Sequence, residues 1–174
     1  MKWRAEARGG PLLLLACAAL SACAGGDHRL VADAPVKIGR PYTAAGIRYV
    51  PADDPAYDEV GLASWYGREH QNDRTANGER FRRKRVSAAH ATLPMPSYVA
   101  VTALATGRTI LVRINDRGPF ARGRIIDLSE RAAELLGLTR TDDRRVRVRR
   151  AYPSEADARA LRSGRPAAPL ASVR

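Results

Sequence analysis

"VRINDRGPF" (residues 112–120) carries a strand-like run straight into a tight turn. Apolar and polar residues alternate before the turn, as they do in a half-buried strand. Asn115 and Asp116 can fold their side chains back onto nearby backbone. Gly118 accepts a positive φ, and Pro119 fixes the exit. The stretch is therefore either an ordinary surface turn or a turn that holds the Asp116 carboxylate at the rim of a site.

The segments on both sides of this turn predict further short strands. "SYVAVTAL" (97–104) alternates and is rich in β-branched residues, and "ATGR" (105–108) is typical of a turn. "TILVRIN" (109–115) alternates again, so the three segments together predict a hairpin. "RIIDLS" (124–129) predicts another strand after the turn.

The chain beyond this region predicts one helix and a last strand. Ser129 as N-cap, Glu130 in the first turn and Gly137 as a stop indicate a short helix. "RRVRVRR" (144–150) predicts a strand with its valines inward. Its arginines form either a solvated strand face or a stripe that binds a polyanion.

The region before the hairpin adds the remaining barrel strands. "LASWY" (62–66) predicts a strand, and residues 68–80 read as a polar loop closed by the turn pair Asn77–Gly78. "VSAAH" (86–90) could form a strand or a helix, and its length favours a strand. About six short strands with one small helix indicate a compact all-β barrel.

The composition divides the chain into four parts. Residues 1–22 are predicted to be a signal peptide, residues 23–59 an extended linker that begins with a lipidated Cys, and residues 60–150 the barrel. Residues 151–174 have little apolar content, which predicts a helical turn at most and then a disordered tail. The linker is rich in residues that break regular elements, among them Pro35, Pro41, Pro51 and Pro55.

The first residues have the pattern of a secretory signal. A basic segment (1–10) precedes the apolar run "PLLLLACAAL" (11–20), which is too short to span a bilayer. "LSAC" (20–23) then resembles the lipobox of bacterial lipoproteins. The alternatives are a plain signal peptide that is cleaved nearby, or a buried helix.

The lipobox resemblance decides what the cysteines can do. It implies that Cys17 leaves with the signal peptide and that Cys23 is acylated, so neither a disulfide nor a Cys-based metal site is expected. Several acyl chains on one residue anchor a protein stably. Ala24 after the Cys, by resemblance to sorted lipoproteins, favours the periplasmic face of the outer membrane of a Gram-negative bacterium.

The charge of the chain indicates an anionic partner. Lys and Arg number 30 against 18 Asp and Glu, and the formal net charge is +12. An excess of positive charge of this size first suggests nucleic acid as the partner. Localisation in the periplasm excludes nucleic acid as the partner and favours peptidoglycan, whose muramic acid and stem peptides carry carboxylates.

Four segments in register resemble a known family. They are "GLASWYG" (61–67), "RTANGERF" (74–81), "VSAAHATLP" (86–94) and "VRINDRGPF…RGRIIDLSERAAELLGL" (112–138). Their order and spacing resemble the rare lipoprotein A family, septal ring lytic transglycosylases with a double-psi β-barrel. The resemblance implies a six-stranded barrel with one or two short helices, preceded by a signal peptide and an extended linker.

The resemblance also implies three catalytic residues. Asp116 would lie in a groove as the main acid/base, with Glu79 and His90 near it and needed for activity. A like charge on Glu79 would keep one carboxyl of the pair protonated, as an acid at neutral pH requires. Glu79 could instead only end an Asn-Gly turn, and His90 could be a satisfied core histidine or a positioning group.

The residues expected to bind substrate share the same motifs. Alternation sends one of Trp65 and Tyr66 inward, so each is either core or a flat surface for a sugar ring. Arg117 is expected to point away from Asp116, towards a substrate carboxylate. With one well-placed His, neither a metal nor a cofactor is expected. The full expected set is Trp65, Tyr66, Thr75, Asn77, Asn115 and Arg117.

Two departures from the family pattern stand out. Family members often have a "FHGR"-like stretch where this chain has "HQND" (70–73), which puts glycan contacts by this loop in doubt. After Ala151 no sporulation-related peptidoglycan-binding repeat is expected. "RRKR" (82–85) is either a solvated loop or a contact for the anionic polymer.

The sequence thus predicts a monomeric endolytic transglycosylase. It would cleave the MurNAc–GlcNAc β-1,4 bond of glycan strands, leave 1,6-anhydroMurNAc ends, and serve cell wall remodelling and daughter-cell separation. The alternative is a non-catalytic module that binds peptidoglycan as expansins bind glycan, since fold does not fix activity. A third interpretation is an envelope protein that binds lipopolysaccharide through its arginines.

Overall fold

The computed structural model describes residues 33–168, and the elements below refer to that range. Two 3-10 turns, Arg68–His70 and Leu138–Arg140, lie in the connections. The strands are β1 (Tyr42–Ala44), β2 (Ile47–Tyr49), β3 (Asp58–Trp65), β4 (Ser87–Ala89), β5 (Ser97–Ala103), β6 (Thr109–Asp116), β7 (Arg124–Leu128) and β8 (Arg145–Ala151). The helices are α1 (Glu130–Leu136) and α2 (Glu155–Arg162).

Six of the strands close into a barrel in the order β3-β7-β4-β6-β5-β8. The pairs β3·β7 and β4·β6 are parallel, and the other four pairs are antiparallel. Closure leaves no unpaired strand edge in the barrel. The predicted six-stranded all-β barrel is confirmed, and it runs from Asp58 to Ala151 rather than from 60 to 150.

The barrel interior is filled by alternating apolar side chains. On β8, Val146 and Val148 are fully buried, while Arg145 and Arg147 are exposed. Arg147 pairs with Asp58 on the neighbouring β3, with 2.6 Å between its Nη2 and Oδ2. The predicted inward valines are confirmed, and this pair shows how an arginine on the outer face is neutralised within the sheet.

Helix α1 begins and ends where its capping residues predict. The Ser129 side chain accepts a hydrogen bond from the backbone N–H of Ala132, and Gly137 ends the helix at a φ of 78°. Leu136 buries against the barrel. The Glu130 carboxylate contacts Arg83, which joins the helix to the "RRKR" segment. At least this arginine is therefore engaged with the protein itself.

Within the predicted linker, the structure forms a short hairpin just before the barrel. Strands β1 and β2 form an antiparallel hairpin in which Tyr42 lies opposite Tyr49. Ala45 and Gly46, both with positive φ, make the turn between them. The hairpin lies between prolines, and these interrupt the chain without preventing two three-residue strands from pairing.

The helical turn expected after Ala151 is the two-turn helix α2 (Glu155–Arg162). Ser154 caps this helix, and its Ala158 and Leu161 are buried against the barrel. The Arg162 guanidinium lies 2.8 Å from a carboxylate oxygen of Asp33. Two apolar residues at helical spacing are enough to dock a two-turn helix when an ion pair adds to them.

The N-terminal predictions concern residues that the structure does not describe. The signal peptide (1–22), Cys17 and the lipidation site Cys23 all lie outside the described residues. Within residues 33–168, neither helix has the length and apolar character needed to cross a membrane.

Candidate active site

The turn after β6 is fixed to the barrel on both sides. Asp116 is the last residue of β6 and lies opposite Ala89, across a register shift in the parallel pair β4·β6. The backbone N–H of His90 donates to the Asp116 carbonyl at 3.0 Å. Gly118 has a φ of 129°, which only glycine adopts readily, so the chain reverses directly after the acid.

The Asp116 carboxylate lies in a half-buried cradle of hydrogen-bond donors. Its Oδ1 accepts from the backbone N–H groups of Ala76 and Arg117, each at 2.8 Å. Its Oδ2 faces the Tyr66 hydroxyl at 3.4 Å. Burial raises the pKa of the Asp116 carboxyl above its ordinary value, although these hydrogen bonds oppose the rise. The turn therefore presents a carboxyl that holds its proton more strongly than an exposed one.

Tyr66 is the aromatic residue that the strand turns towards Asp116. Its ring packs against Phe81 at 5.0 Å and His70 at 5.3 Å between centroids. Burial, together with the charge of Asp116, raises the pKa of its hydroxyl, so the group is a proton donor at neutral pH. Trp65 is half-buried elsewhere, and the Arg144 guanidinium covers its ring at 4.9 Å.

Glu79 does not tune Asp116 in the predicted way. Its two carboxylate oxygens lie 2.7 and 2.8 Å from Nη1 of Arg113, which is only 2% exposed. They also accept from the side-chain amides of Asn77 and Asn115. Because this negative charge is matched by a buried cation, the pKa of Asp116 rises through burial rather than through a like charge.

Three of the predicted substrate-binding residues support the loop that holds Asp116. Thr75 donates to the Asn77 side chain at 2.7 Å, and Asn77 in turn accepts from the backbone N–H of Glu79. Asn115 is buried and donates to Glu79 at 3.0 Å. These bonds fix residues 75–79, and Ala76, whose N–H holds Asp116, lies within them. The structure brings these predicted residues together, and their side chains bond mainly to one another.

The imidazole of His90 is a buried structural group. It is 3% exposed, and its Nδ1 accepts from the backbone N–H groups of Thr92 and Leu93 at 3.2 and 3.0 Å. Its Nε2 faces the Tyr57 hydroxyl at 2.9 Å. Burial lowers the pKa of His90 to about 3, so the ring is neutral at physiological pH. This placement corresponds to the positioning alternative and not to proton transfer with Asp116.

Arg117 points away from the Asp116 side chain, as predicted, but its partners are backbone groups. Its guanidinium donates to the carbonyls of Leu93 at 2.5 Å, His90 at 3.2 Å and Ile38 at 2.6 Å. Burial lowers the pKa of this guanidinium. Arg117 therefore ties the loop after β4 and the N-terminal segment to the turn that carries Asp116.

A second carboxylate near the turn was not predicted as a site residue. Asp127 on β7 is buried and accepts a hydrogen bond from the Ser64 hydroxyl. Arg124 lies 3.5 Å from its Oδ2, and a Cβ on Gly118 would lie 3.8 Å from the same oxygen. The sequence signal that could have identified Asp127 is a charged residue inside the apolar run "RIIDL", because a buried charge needs partners. Arg113 within "TILVRIN" carries the same signal.

The described residues offer no cluster for a metal ion. Within residues 33–168, no three His, Cys, Asp or Glu side chains are grouped so that they could hold one. The chemistry available at the turn is thus one carboxyl with a raised pKa, one tyrosine hydroxyl and two backbone N–H donors.

The closed barrel and its acid-bearing turn place the chain among double-psi β-barrel proteins. The family model described as lytic transglycolase matches residues 58–149, which is the barrel almost from end to end. The chain belongs to this family, and the resemblance to rare lipoprotein A is confirmed by its curated relatives.

Three of the curated relatives are named endolytic peptidoglycan transglycosylase RlpA. The Pseudomonas aeruginosa protein is 51% identical over 109 residues, which are 62% of this chain and 32% of the relative. The Neisseria meningitidis protein is 41% identical over 141 residues (75% and 59%), and the Rickettsia felis protein is 40% identical over 124 residues (70% and 54%). The chain thus spans between about a third and three fifths of these relatives.

Proposed function

We propose that this protein is an endolytic peptidoglycan lytic transglycosylase with Asp116 as its acid/base. The proposal rests on the state of the Asp116 carboxyl. It is half-buried, it is bonded to two backbone N–H groups and faces Tyr66, and burial raises its pKa. A raised pKa favours the protonated form of the carboxyl, which is the form that can give its proton to a leaving oxygen. The names of the relatives support peptidoglycan as the substrate class.

The proposed reaction uses one carboxyl twice. Protonated Asp116 gives its proton to the oxygen that links MurNAc C1 to GlcNAc, and the C1–O bond breaks. The carboxylate then takes the proton from the C6 hydroxyl of the same MurNAc, whose oxygen bonds to C1 and closes the 1,6-anhydro ring. No water is consumed, and the carboxyl ends protonated as it began. The tethered nucleophile gains from proximity.

The local bonds of Asp116 suit both halves of this cycle. The N–H groups of Ala76 and Arg117 stabilise the carboxylate after it has given up its proton. Both donors bond to Oδ1, and Oδ2 has the long contact with Tyr66, so Oδ2 is the oxygen that we assign to proton transfer.

The bonding of the two other carboxylates near the turn favours transglycosylation over hydrolysis. A hydrolase needs a second carboxylate to activate water or to attack the sugar. Glu79 is bound to Arg113 and two amides, and Asp127 is bound to Ser64 and Arg124. At Glu79 these partners occupy the lone pairs that a base would need, and at Asp127 they bind Oδ1 and place a cation beside Oδ2.

Substitution of Asp116 tests the proposal. Asp116→Asn fills the same space but cannot exchange a proton at neutral pH, so release of muropeptides from isolated peptidoglycan should fall by about two to four orders of magnitude. The control is glycan binding and thermal melting, which should stay near the wild-type values. Wild-type turnover by the variant would refute the role of Asp116. No release by the wild type would favour the non-catalytic binding module.

The proposed function includes a cellular location for the protein. We propose that Cys23 is acylated and anchors the barrel at the periplasmic face of the outer membrane, where it acts as a monomer on glycan strands during cell wall remodelling and daughter-cell separation. The support is the "LSAC" pattern and the basic excess, which suits a polymer rich in carboxylates.

A further inference from the structure

Three aromatic rings form a cluster next to the turn of Asp116. Tyr42 and Tyr49 stack at 5.2 Å with 21° between their planes. Phe120 meets Tyr42 edge-on at 6.0 Å and Tyr49 at a tilt at 5.7 Å. Phe120 is 37% exposed, and both tyrosines are half-buried. We call Tyr42, Tyr49 and Phe120 the aromatic platform.

The platform is attached to residues on both sides of the acid. The Tyr42 hydroxyl donates to the Ala91 carbonyl at 2.7 Å, just after the β4 strand that pairs with Asp116. The Arg117 guanidinium donates to the Ile38 carbonyl at 2.6 Å. Because Arg117 directly follows Asp116 in the chain, these two bonds connect the segment that carries the hairpin to residues on both sides of the acid.

Phe120 brings the platform within reach of a substrate at Asp116. It lies four residues after the acid in the same turn, so the two Cα atoms are separated by at most about 14 Å. Gly118 reverses the chain between them. A bound glycan of a few linked rings could therefore contact both Asp116 and Phe120.

The chemistry of the platform suits a sugar ring. Aromatic faces offer a rigid apolar surface, and the polar tip of a tyrosine can hydrogen-bond at the same time. The Tyr42 hydroxyl is bound to Ala91, whereas the Tyr49 hydroxyl has no hydrogen-bond partner among residues 33–168 and is available to a sugar hydroxyl.

We propose that the aromatic platform is a binding subsite for a pyranose ring of the glycan strand, next to the ring that reacts at Asp116. The substrate class rests on the proposed function. The subsite adds a binding role for the hairpin β1–β2, which lies before the family-matched residues 58–149. The cost of losing Phe120 falls on binding, because a phenyl ring carries no group that can donate or accept a proton.

Binding measured apart from turnover tests this subsite. The full chain carrying Asp116→Asn is mixed with peptide-free glycan strands prepared from peptidoglycan, so that the probe is bound and not consumed. Adding Phe120→Ala should raise the dissociation constant by about two- to tenfold, the range expected for one aromatic contact. Phe120→Tyr keeps the ring and should bind as the parent does. Tyr49→Phe should show a smaller loss, limited to its hydroxyl.

Tyr152→Ala is the matched control. Tyr152 is 67% exposed and its ring contacts Arg150 rather than the platform, so its removal should leave binding unchanged. Equal affinity of the Phe120→Ala protein and its parent, at equal melting temperature, would overturn the subsite. An equal loss in the Tyr152→Ala protein would also overturn it, by showing non-specific adhesion. If the wild type makes no anhydro product but Phe120→Ala still weakens binding, the subsite holds and the enzymatic proposal alone fails.

Discussion

Because Glu79 is paired with the buried Arg113, we expect that the main effect of removing its charge is a loss of folding stability. Arg113 is 2% exposed and the Glu79 side chain 17%, and their contact at 2.7 Å is supported by Asn77 and Asn115. Breaking a buried pair by removing one partner costs about 3–5 kcal/mol, because the other charge is left buried. Arg113 keeps its ion pair with Asp33 at 3.0 Å, so Glu79→Gln should lower the free energy of unfolding by an amount at the lower end of this range, about 3 kcal/mol.

Urea unfolding measures this loss directly. With a denaturant slope of about 1–3 kcal/mol per molar, the midpoint should fall by roughly 1–3 M. Glu134→Gln is the matched control: Glu134 pairs with Lys84 and Arg131 at the surface, so its loss should cost about 1 kcal/mol or less.

A double-mutant cycle separates the pair from its surroundings. Glu79→Gln combined with Arg113→Met removes both charges, and Asp33 keeps its bond to Arg162, so the double variant should be less destabilised than the sum of the single variants by about 0.5–3 kcal/mol. A Glu79→Gln protein with the wild-type urea midpoint and no activity would refute the reasoning, because it would show that Glu79 acts on the substrate.

Two further predictions concern His90 and Cys23. Since the folded pKa of His90, about 3, lies below the unfolded value near 6.5, its neutral form adds stability above pH 6.5 that is lost as the pH falls from 6.5 towards 3, about 2 kcal/mol by pH 5. Unfolding of wild type and His90→Gln between pH 7 and pH 5 measures this; a wild type that gains stability relative to the variant on acidification would contradict it. Cys23→Ala should leave the protein unlipidated and outside the membrane fraction. Fractionation with the mass of the mature N-terminus checks this, and a free Cys23 thiol in membrane-bound wild type would contradict it.

Local signals in the sequence predicted most of the barrel. The alternation in "RRVRVRR" and the caps Ser129 and Gly137 act over a few residues, so each could be interpreted without knowing the fold. The hairpin was missed because the signal that holds it is distant. Tyr42 and Tyr49 complete their packing with Phe120, more than seventy residues further on.

The motifs predicted that the candidate site residues lie near one another, but they did not predict how the side chains are bonded. The motifs brought Asp116, Glu79 and His90 to the same end of the barrel, but a motif does not fix where a side chain points. The imidazole of His90 is turned by Tyr57, which is 33 positions away, and the Glu79 carboxylate is bound by Arg113, 34 positions away. Such long-range partners depend on strand order, which the spacing of the motifs does not contain.

Digestion of peptide-free glycan strands in heavy-oxygen water tests the central claim most directly. If Asp116 works alone and the C6 hydroxyl of MurNAc is the nucleophile, mass spectrometry should find 1,6-anhydroMurNAc ends that are lighter than hydrolysis products by one water and carry no label. Labelled reducing ends would contradict the account, because they would mean that a second carboxylate, freed from the partners seen for Glu79 and Asp127, activates water.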